Sequence, residues 1–185
     1  SEYHVFDTFI GGIKKMAGIL VIIICAWGVG GVCGDLGTST FIVDSTIDII
    51  PASLVPAMLF LIGSIISFAT GTSWGTFGIL IPIVVAVFQG SNETMMIISI
   101  SACMAGAVCG DHCSPISDTT IMSSAGAQCN HVNHVTTQLP YAITCAVVSF
   151  VTYVIAGFVQ NAFICLPIGI VLMVGTLAVI KKMNA

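Results

Sequence analysis

Between Cys109 and Thr120 the chain reads Cys-Gly-Asp-His-Cys-Ser-Pro-Ile-Ser-Asp-Thr-Thr. Two carboxylates (Asp111, Asp118), one imidazole (His112), four hydroxyls and a proline fall within these twelve residues. Oxygen ligands suit hard cations, and carboxylates also take up protons, so the chemistry on offer is cation binding, proton binding, or both in competition. An uncharged run from Thr94 to Gly110 precedes the motif, and no Asp, Glu, Lys or Arg follows Asp118 until Lys181. Ionisable groups between lipid-compatible segments are costly and are read as functional by default. The plain alternative is an extramembrane loop with helix caps, and the long uncharged flanks argue against it.

A second polar break lies upstream, Ala69-Thr-Gly-Thr-Ser-Trp-Gly-Thr76. Gly71 and Gly75 let the backbone leave helical geometry, while Thr70, Thr72, Ser73 and Thr76 offer hydroxyls. Such a cluster also makes an ordinary polar loop. Irregular backbone at membrane depth is tolerated only where protein or a watery cavity receives it. The two breaks are therefore expected to face one another and share a cavity near the bilayer midplane.

The elements that hold these breaks follow from composition. The chain has 185 residues, is 57% hydrophobic and only 6% charged, with a mean hydropathy of +1.10. Soluble domains carry roughly 25% charged residues, so this composition cannot build a water-facing surface. Charges are absent from Ala17 to Gly34, from Ile49 to Asn92 and from Thr119 to Ile180. A bilayer core needs about 20 apolar residues per helix. Six apolar segments result: Ile13–Val32, Pro51–Thr70, Thr76–Phe88, Thr94–Cys109, Leu139–Gly157 and Ala162–Ile180. The fold class is an all-α polytopic membrane helical bundle, located in the cell membrane.

Lys14-Lys15 opens the first segment and Lys181-Lys182 closes the last, which places both ends in the cytoplasm and requires an even number of crossings. Six full helices satisfy this. Four also do, if the second and third segments form a re-entrant hairpin and the fourth joins Ile116–Ala125 as one broken helix. The short third segment favours the hairpin. Pro115 removes a donor and restricts Ser114, so the incoming helix is expected to stop near Gly110 and the next to begin around Ser117 or Asp118. Ala102, Gly106 and Gly110 form a small-residue stripe for close helix packing.

Other residues take less specific readings. Arginine is absent and the net charge is −4, which excludes a nucleic-acid partner. Cys25, Cys33, Cys103, Cys145 and Cys165 stand singly in apolar runs and read as reduced packing residues. A zinc site from Cys109, His112, Cys113, Cys129, His131 and His134 fits no familiar ligand spacing. His131 and His134 read as a solvated connector, with a proton-accessible vestibule as the alternative. Asp35 reads as a helix-terminal interfacial residue. No cleavable signal peptide is visible. The amphipathic start Ser1-Glu-Tyr-His, without methionine, looks like the interior of a larger protein, hence a C-terminal fragment.

At Gly71-Thr-Ser-Trp-Gly-Thr76, Gly110-Asp-His-Cys-Ser-Pro-Ile-Ser-Asp-Thr-Thr120 with Ile121-Met-Ser-Ser124, and His134-Val-Thr-Thr-Gln-Leu-Pro-Tyr141, the sequence resembles the NhaC-type Na+/H+ antiporter family in its C-terminal half. The second motif is long and specific. The resemblance implies a secondary transporter rather than an enzyme, exchanging Na+ (or Li+) for H+, with some relatives exchanging organic acids or other metabolites. It implies that Thr72, Ser73, Asp111, Ser114, Ser117, Asp118 and Thr119 line the site, with Asp111 and Asp118 as the Na+ ligands and no cofactor beyond the transported ions. Such transporters need two inverted repeats, and this chain shows one. Its expected partners are membrane lipids, the missing N-terminal repeat of the parent transporter and, compatibly, further copies of itself. A Na+- or H+-coupled organic-acid antiporter of the same fold and a degenerate, non-transporting fragment stand as alternatives. Burial favours a protonated carboxylate and a bound cation favours an ionised one, so proton and cation compete for one acid. Asp118 or Asp111 is read as the proton carrier; Asp118, with Ser117 and Thr119 as neighbouring oxygens, is favoured, with Asp111 then tuning the site by charge.

Overall fold

A computed structural model describes residues 5–14, 51–88 and 92–183, with positions 24, 28, 32, 35 and 36. The first apolar segment lies almost wholly outside the described residues. Residues 5–14 are helical. Beyond them the chain forms α1 (Val55–Thr70, entered through a 3-10 turn at Ala52–Leu54), α2 (Ser73–Phe88), α3 (Glu93–Cys113), α4 (Asp118–Gly126), α5 (His131–Val159) and α6 (Ala162–Met183). Four stretches are long and apolar enough to cross a membrane: Ala52–Thr70, Glu93–Cys113, His131–Val159 and Ala162–Met183. At 16 residues, α2 is shorter. The protein is an all-α, multi-pass membrane bundle, with no strand among the described residues.

Local chemistry sets the helix ends. Asn92 caps α3 by accepting the Met95 amide at 3.1 Å, and Glu93 follows in the first turn, where the helix dipole favours an acid. Asn130 caps α5 in the same way, accepting the Asn133 amide at 3.1 Å. That cap starts α5 at His131, eight residues before the expected Leu139, so His131 and His134 lie on its first turns and not in a connector. Helix α2 likewise begins at Ser73, ahead of the expected Thr76. The Pro140 ring is accommodated within α5.

Helices α1 and α3 run side by side in the same direction, because small residues let their backbones meet. A Cβ added to Gly106 would overlap the Phe60 carbonyl oxygen, and one added to Gly110 would overlap that of Ser64. The Ser64 hydroxyl lies 2.8 Å from the Phe60 carbonyl and 3.0 Å from that of Gly106, tying the two helices together. Ala102 is fully buried on the same stripe. The close packing expected of Ala102, Gly106 and Gly110 is present.

Helix α2 returns beside them. Its Val84 and Phe88 pack on Met95 of α3, with Val55 and Leu59 of α1 alongside, so α1 and α2 form a helical hairpin with its tip at Gly71–Thr72. Helix α5 runs antiparallel to α1 and α3. Tyr153 lies 5.8 Å (ring centroids) from Phe60 and hydrogen-bonds Ser101 at 2.9 Å, while the opposite end of α5 reaches α3 through Gln138. Helix α6 packs on α5, with Thr152 seated over Gly169.

One boundary shifts the chemistry. Helix α3 does not stop near Gly110 but continues to Cys113, where Ser114 turns extended (φ −80°, ψ 127°). The restriction that Pro115 imposes falls on the residue directly before it, and nothing in Gly110 itself ends a helix packed against α1. Asp111 is therefore carried inside, on the last turn of α3.

Candidate functional site

The two polar breaks touch. Gly71 closes α1 in the left-handed conformation (φ 69°), its amide donating to Ser67 O at 2.8 Å. A Cβ on Gly71 would lie 2.7 Å from the Ile116 carbonyl oxygen. The Asp118 amide in turn donates to the Gly71 carbonyl at 3.4 Å. Around the hairpin tip, the Thr76 hydroxyl donates to the Thr72 carbonyl at 3.0 Å, and Ser73 is buried at the start of α2.

Asp111 is the centre of the second break and only 2% exposed. Its Oδ1 accepts the Ser117 hydroxyl at 2.7 Å and its Oδ2 accepts the Thr119 hydroxyl at 3.2 Å. The two hydroxyl oxygens lie 2.8 Å apart. Ser117 is also the N-cap of α4, accepting the Thr120 amide at 3.3 Å. The carboxyl group thus sits at the positive end of a short helix. No basic side chain pairs with it among the described residues, and the sequence holds no arginine and only Lys14, Lys15, Lys181 and Lys182. A buried charge without a partner is expensive, so this carboxyl group calls for a proton or a cation.

The other expected site residues divide. Ser114 is fully buried at the joint, its hydroxyl oxygen accepting the Ile116 amide at 3.4 Å. Asp118 is half-buried, and its Oδ1 takes the Thr119 amide at 2.7 Å within its own first turn. Ser117 and Thr119, read from the sequence as neighbours of Asp118, turn to Asp111 instead. Thr72 contributes its carbonyl to the tip rather than its hydroxyl to Asp111. His112 is exposed, and because a carbonyl only accepts, its Nδ1 carries the proton given to Val108 O at 2.9 Å.

Helix α5 braces the break in a way that sequence reasoning missed. His131 places Nε2 2.7 Å from the Pro115 carbonyl and Nδ1 3.0 Å from the Ser124 hydroxyl, while the Gln138 amide donates to the His112 carbonyl at 3.0 Å. The signal available was the His131/His134 pair, whose spacing fits a helix as well as a loop edge. Among the described residues no group of three or more His, Cys, Asp or Glu side chains converges on one point. Beside Thr119, between α3, α4 and α5, lies an open cavity of about 760 Å³, with His112, Ser123, His134, Gln138 and Tyr141 on its walls.

A protein-family model described as the Na+/H+ antiporter family matches residues 1–158, which include both breaks and most of α5. The chain belongs to the Na+/H+ antiporter family. Among similar proteins, an uncharacterized protein of Haemophilus influenzae is 47% identical over 154 residues, covering 83% of the chain and 30% of the relative. A malate-2H+/Na+-lactate antiporter of Bacillus subtilis is 30% identical over 139 residues (75% of the chain, 28% of the relative). An arginine/ornithine antiporter of Halobacterium salinarum is 28% identical over 144 residues (77% and 28%). The chain thus spans less than a third of the length of these relatives. No solved structure matches it.

Proposed function

We propose that this chain supplies one of two repeats of a secondary antiporter in the cell membrane, with both ends cytoplasmic, and that the site between the two breaks exchanges Na+ (or Li+) for H+. The observation that carries the reading is Asp111: an acid buried to 2% exposure, held by two hydroxyls and matched by no basic side chain among the described residues. Proton and cation are alternative ways to neutralise the same group, and their competition is the simplest physical basis for antiport. Thr72, Ser73, Ser114, Ser117, Asp118 and Thr119 surround the exchange. Asp111 is the proton carrier, and Asp118 organises the joint through its amide and its local carboxylate bond.

The test is Na+-driven proton flux in proteoliposomes holding the intact parent protein. Asp111→Asn keeps shape and removes the titrating group, so exchange is expected to collapse while the protein stays folded. Asp118→Asn is expected to retain measurable exchange. Wild-type rate and pH dependence in Asp111→Asn would remove Asp111 from the role.

A second reading is favoured by the cavity beside Thr119. It is large enough for a small metabolite, it borders a residue bonded to Asp111, and two relatives are named as antiporters of organic solutes. In that case the same acid couples a metabolite to Na+ or H+. Counterflow of labelled malate, lactate or arginine in the same vesicles separates the two readings.

A further inference from the structure

We infer that Ser67 of α1 provides a hydroxyl ligand to a cation bound at Asp111; the inference rests on the antiport reading above and adds to that site a residue lying outside both polar breaks. Ser67 is 0% exposed, and its Oγ has no hydrogen-bond partner among the described residues. Mid-helix hydroxyls commonly donate to the carbonyl four residues back. Ser64, Thr70, Thr76 and Thr152 all do so in this bundle, and Ser67 does not.

The register of α1 on α3 places it. Gly63 packs against Cys103 O and Ala107 N, its added Cβ lying 3.0 and 3.2 Å from them. The two helices advance in step, Phe60 with Gly106 and Ser64 with Gly110. Continuing the same step one turn beyond Gly63 assigns Ser67 to the level of Ala107 and Asp111. One turn further, Gly71 meets Ile116 and accepts the Asp118 amide. Gly63, Ser67 and Gly71 are all buried and share this face. The register thus assigns Ser67 to the α1 side of Asp111, whose carboxyl group is held by Ser117 and Thr119 at the start of α4.

A buried hydroxyl without a partner is a standing cost that a bound ion can offset. Its oxygen carries two lone pairs and suits a hard cation. Ser99 supplies an internal comparison. It is equally buried and also unpaired, but it lies twelve residues before Asp111 on the same helix, about 18 Å away at 1.5 Å per residue.

The experiment measures Na+-dependent thermal stability of the intact parent protein in detergent, with NaCl against choline chloride at equal ionic strength. A ligand that binds only the folded state raises Tm. Wild type and Ser99→Ala are expected to gain several degrees in Na+. Ser67→Ala is expected to melt at or above the wild-type temperature in choline, since an unpaired hydroxyl has been removed, and to lose most of the Na+ gain. Ser67→Cys, close in size but with a soft donor, is expected to lose it too, which keeps the test valid if one variant folds poorly. A wild-type Na+ gain in Ser67→Ala, an equal loss in Ser99→Ala, or no Na+ response in wild type would each overturn the inference. A wild type that responds to Na+ but drives no proton flux would instead overturn the antiport reading and leave the Ser67 site standing.

Discussion

The amide of Asp118 donates to the carbonyl of Gly71 across 3.4 Å, so the first residue of α4 is fastened to the tip of the α1–α2 hairpin. That carbonyl is free because Gly71 has left the helix, and the amide is free because α4 has only just begun. Each break satisfies what the other leaves open. The hairpin and the broken helix are consequently one unit, and a change at either is felt at both.

Gly71→Ala tests that unit. Alanine must adopt a φ of 69°, and its Cβ would sit 2.7 Å from the Ile116 carbonyl. The left-handed conformation alone costs about 1–2 kcal/mol, and the overlap adds to it. A drop in Tm with loss of exchange is expected by thermal melting and vesicle flux, and an unchanged Tm would contradict the described contact.

Ser117→Ala removes both the cap of α4 and the 2.7 Å bond to Asp111. Loss of a serine cap costs about 1 kcal/mol. Combined with Asp111→Asn, the two effects on stability should fall short of additive, because the residues share one bond. A double-mutant cycle on melting free energies reads this directly.

Gly106→Ala places a methyl group on the Phe60 carbonyl. Overpacking in a tight interface typically costs about 1–3 kcal/mol. The expected result is a lower Tm, and the same substitution at Gly126, where nothing lies within 4 Å, should leave it nearly unchanged.

His131→Ala releases α4 from α5 by removing the contacts to Pro115 and Ser124. The amides of Asp118–Gly126 should then exchange with deuterium severalfold faster, while those of Glu93–Gly106 hold their rate. Equal protection of α4 in both proteins would show that His131 does not brace it.

Much of this arrangement could be read from residue order. The charge gaps marked the spans, Pro115 marked the broken helix, and the Gly/Thr/Ser cluster at 69–76 marked the hairpin tip. What could not be read was rotation about a helix axis. The order of the motif favours Asp118 over Asp111, because Ser117 and Thr119 flank it, and only the continuation of α3 past Gly110 turns Asp111 inward and leaves Asp118 half-exposed. The start of α5 at His131 was hidden because its first two turns are polar, and the cap at Asn130 is a single residue among several plausible ones. Ser67 carried no signal, since a serine in an apolar helix is unremarkable until its neighbours are known.

The triangle of Asp111, Ser117 and Thr119 has a consequence in proton counting. With the carboxylate ionised, the two hydroxyls spend their only protons on it, and the 2.8 Å contact between their oxygens holds no hydrogen. With the carboxyl protonated, a closed circuit is available: Asp111 donates to Thr119, Thr119 to Ser117, and Ser117 back to Asp111. Uptake of one proton thus reverses the Asp111–Thr119 bond and turns the Thr119 hydroxyl toward Ser117, while Ser117 donates to Asp111 in both states and no heavy atom needs to move. The carboxyl group can therefore change charge within one arrangement of heavy atoms, its two hydroxyl partners serving both states.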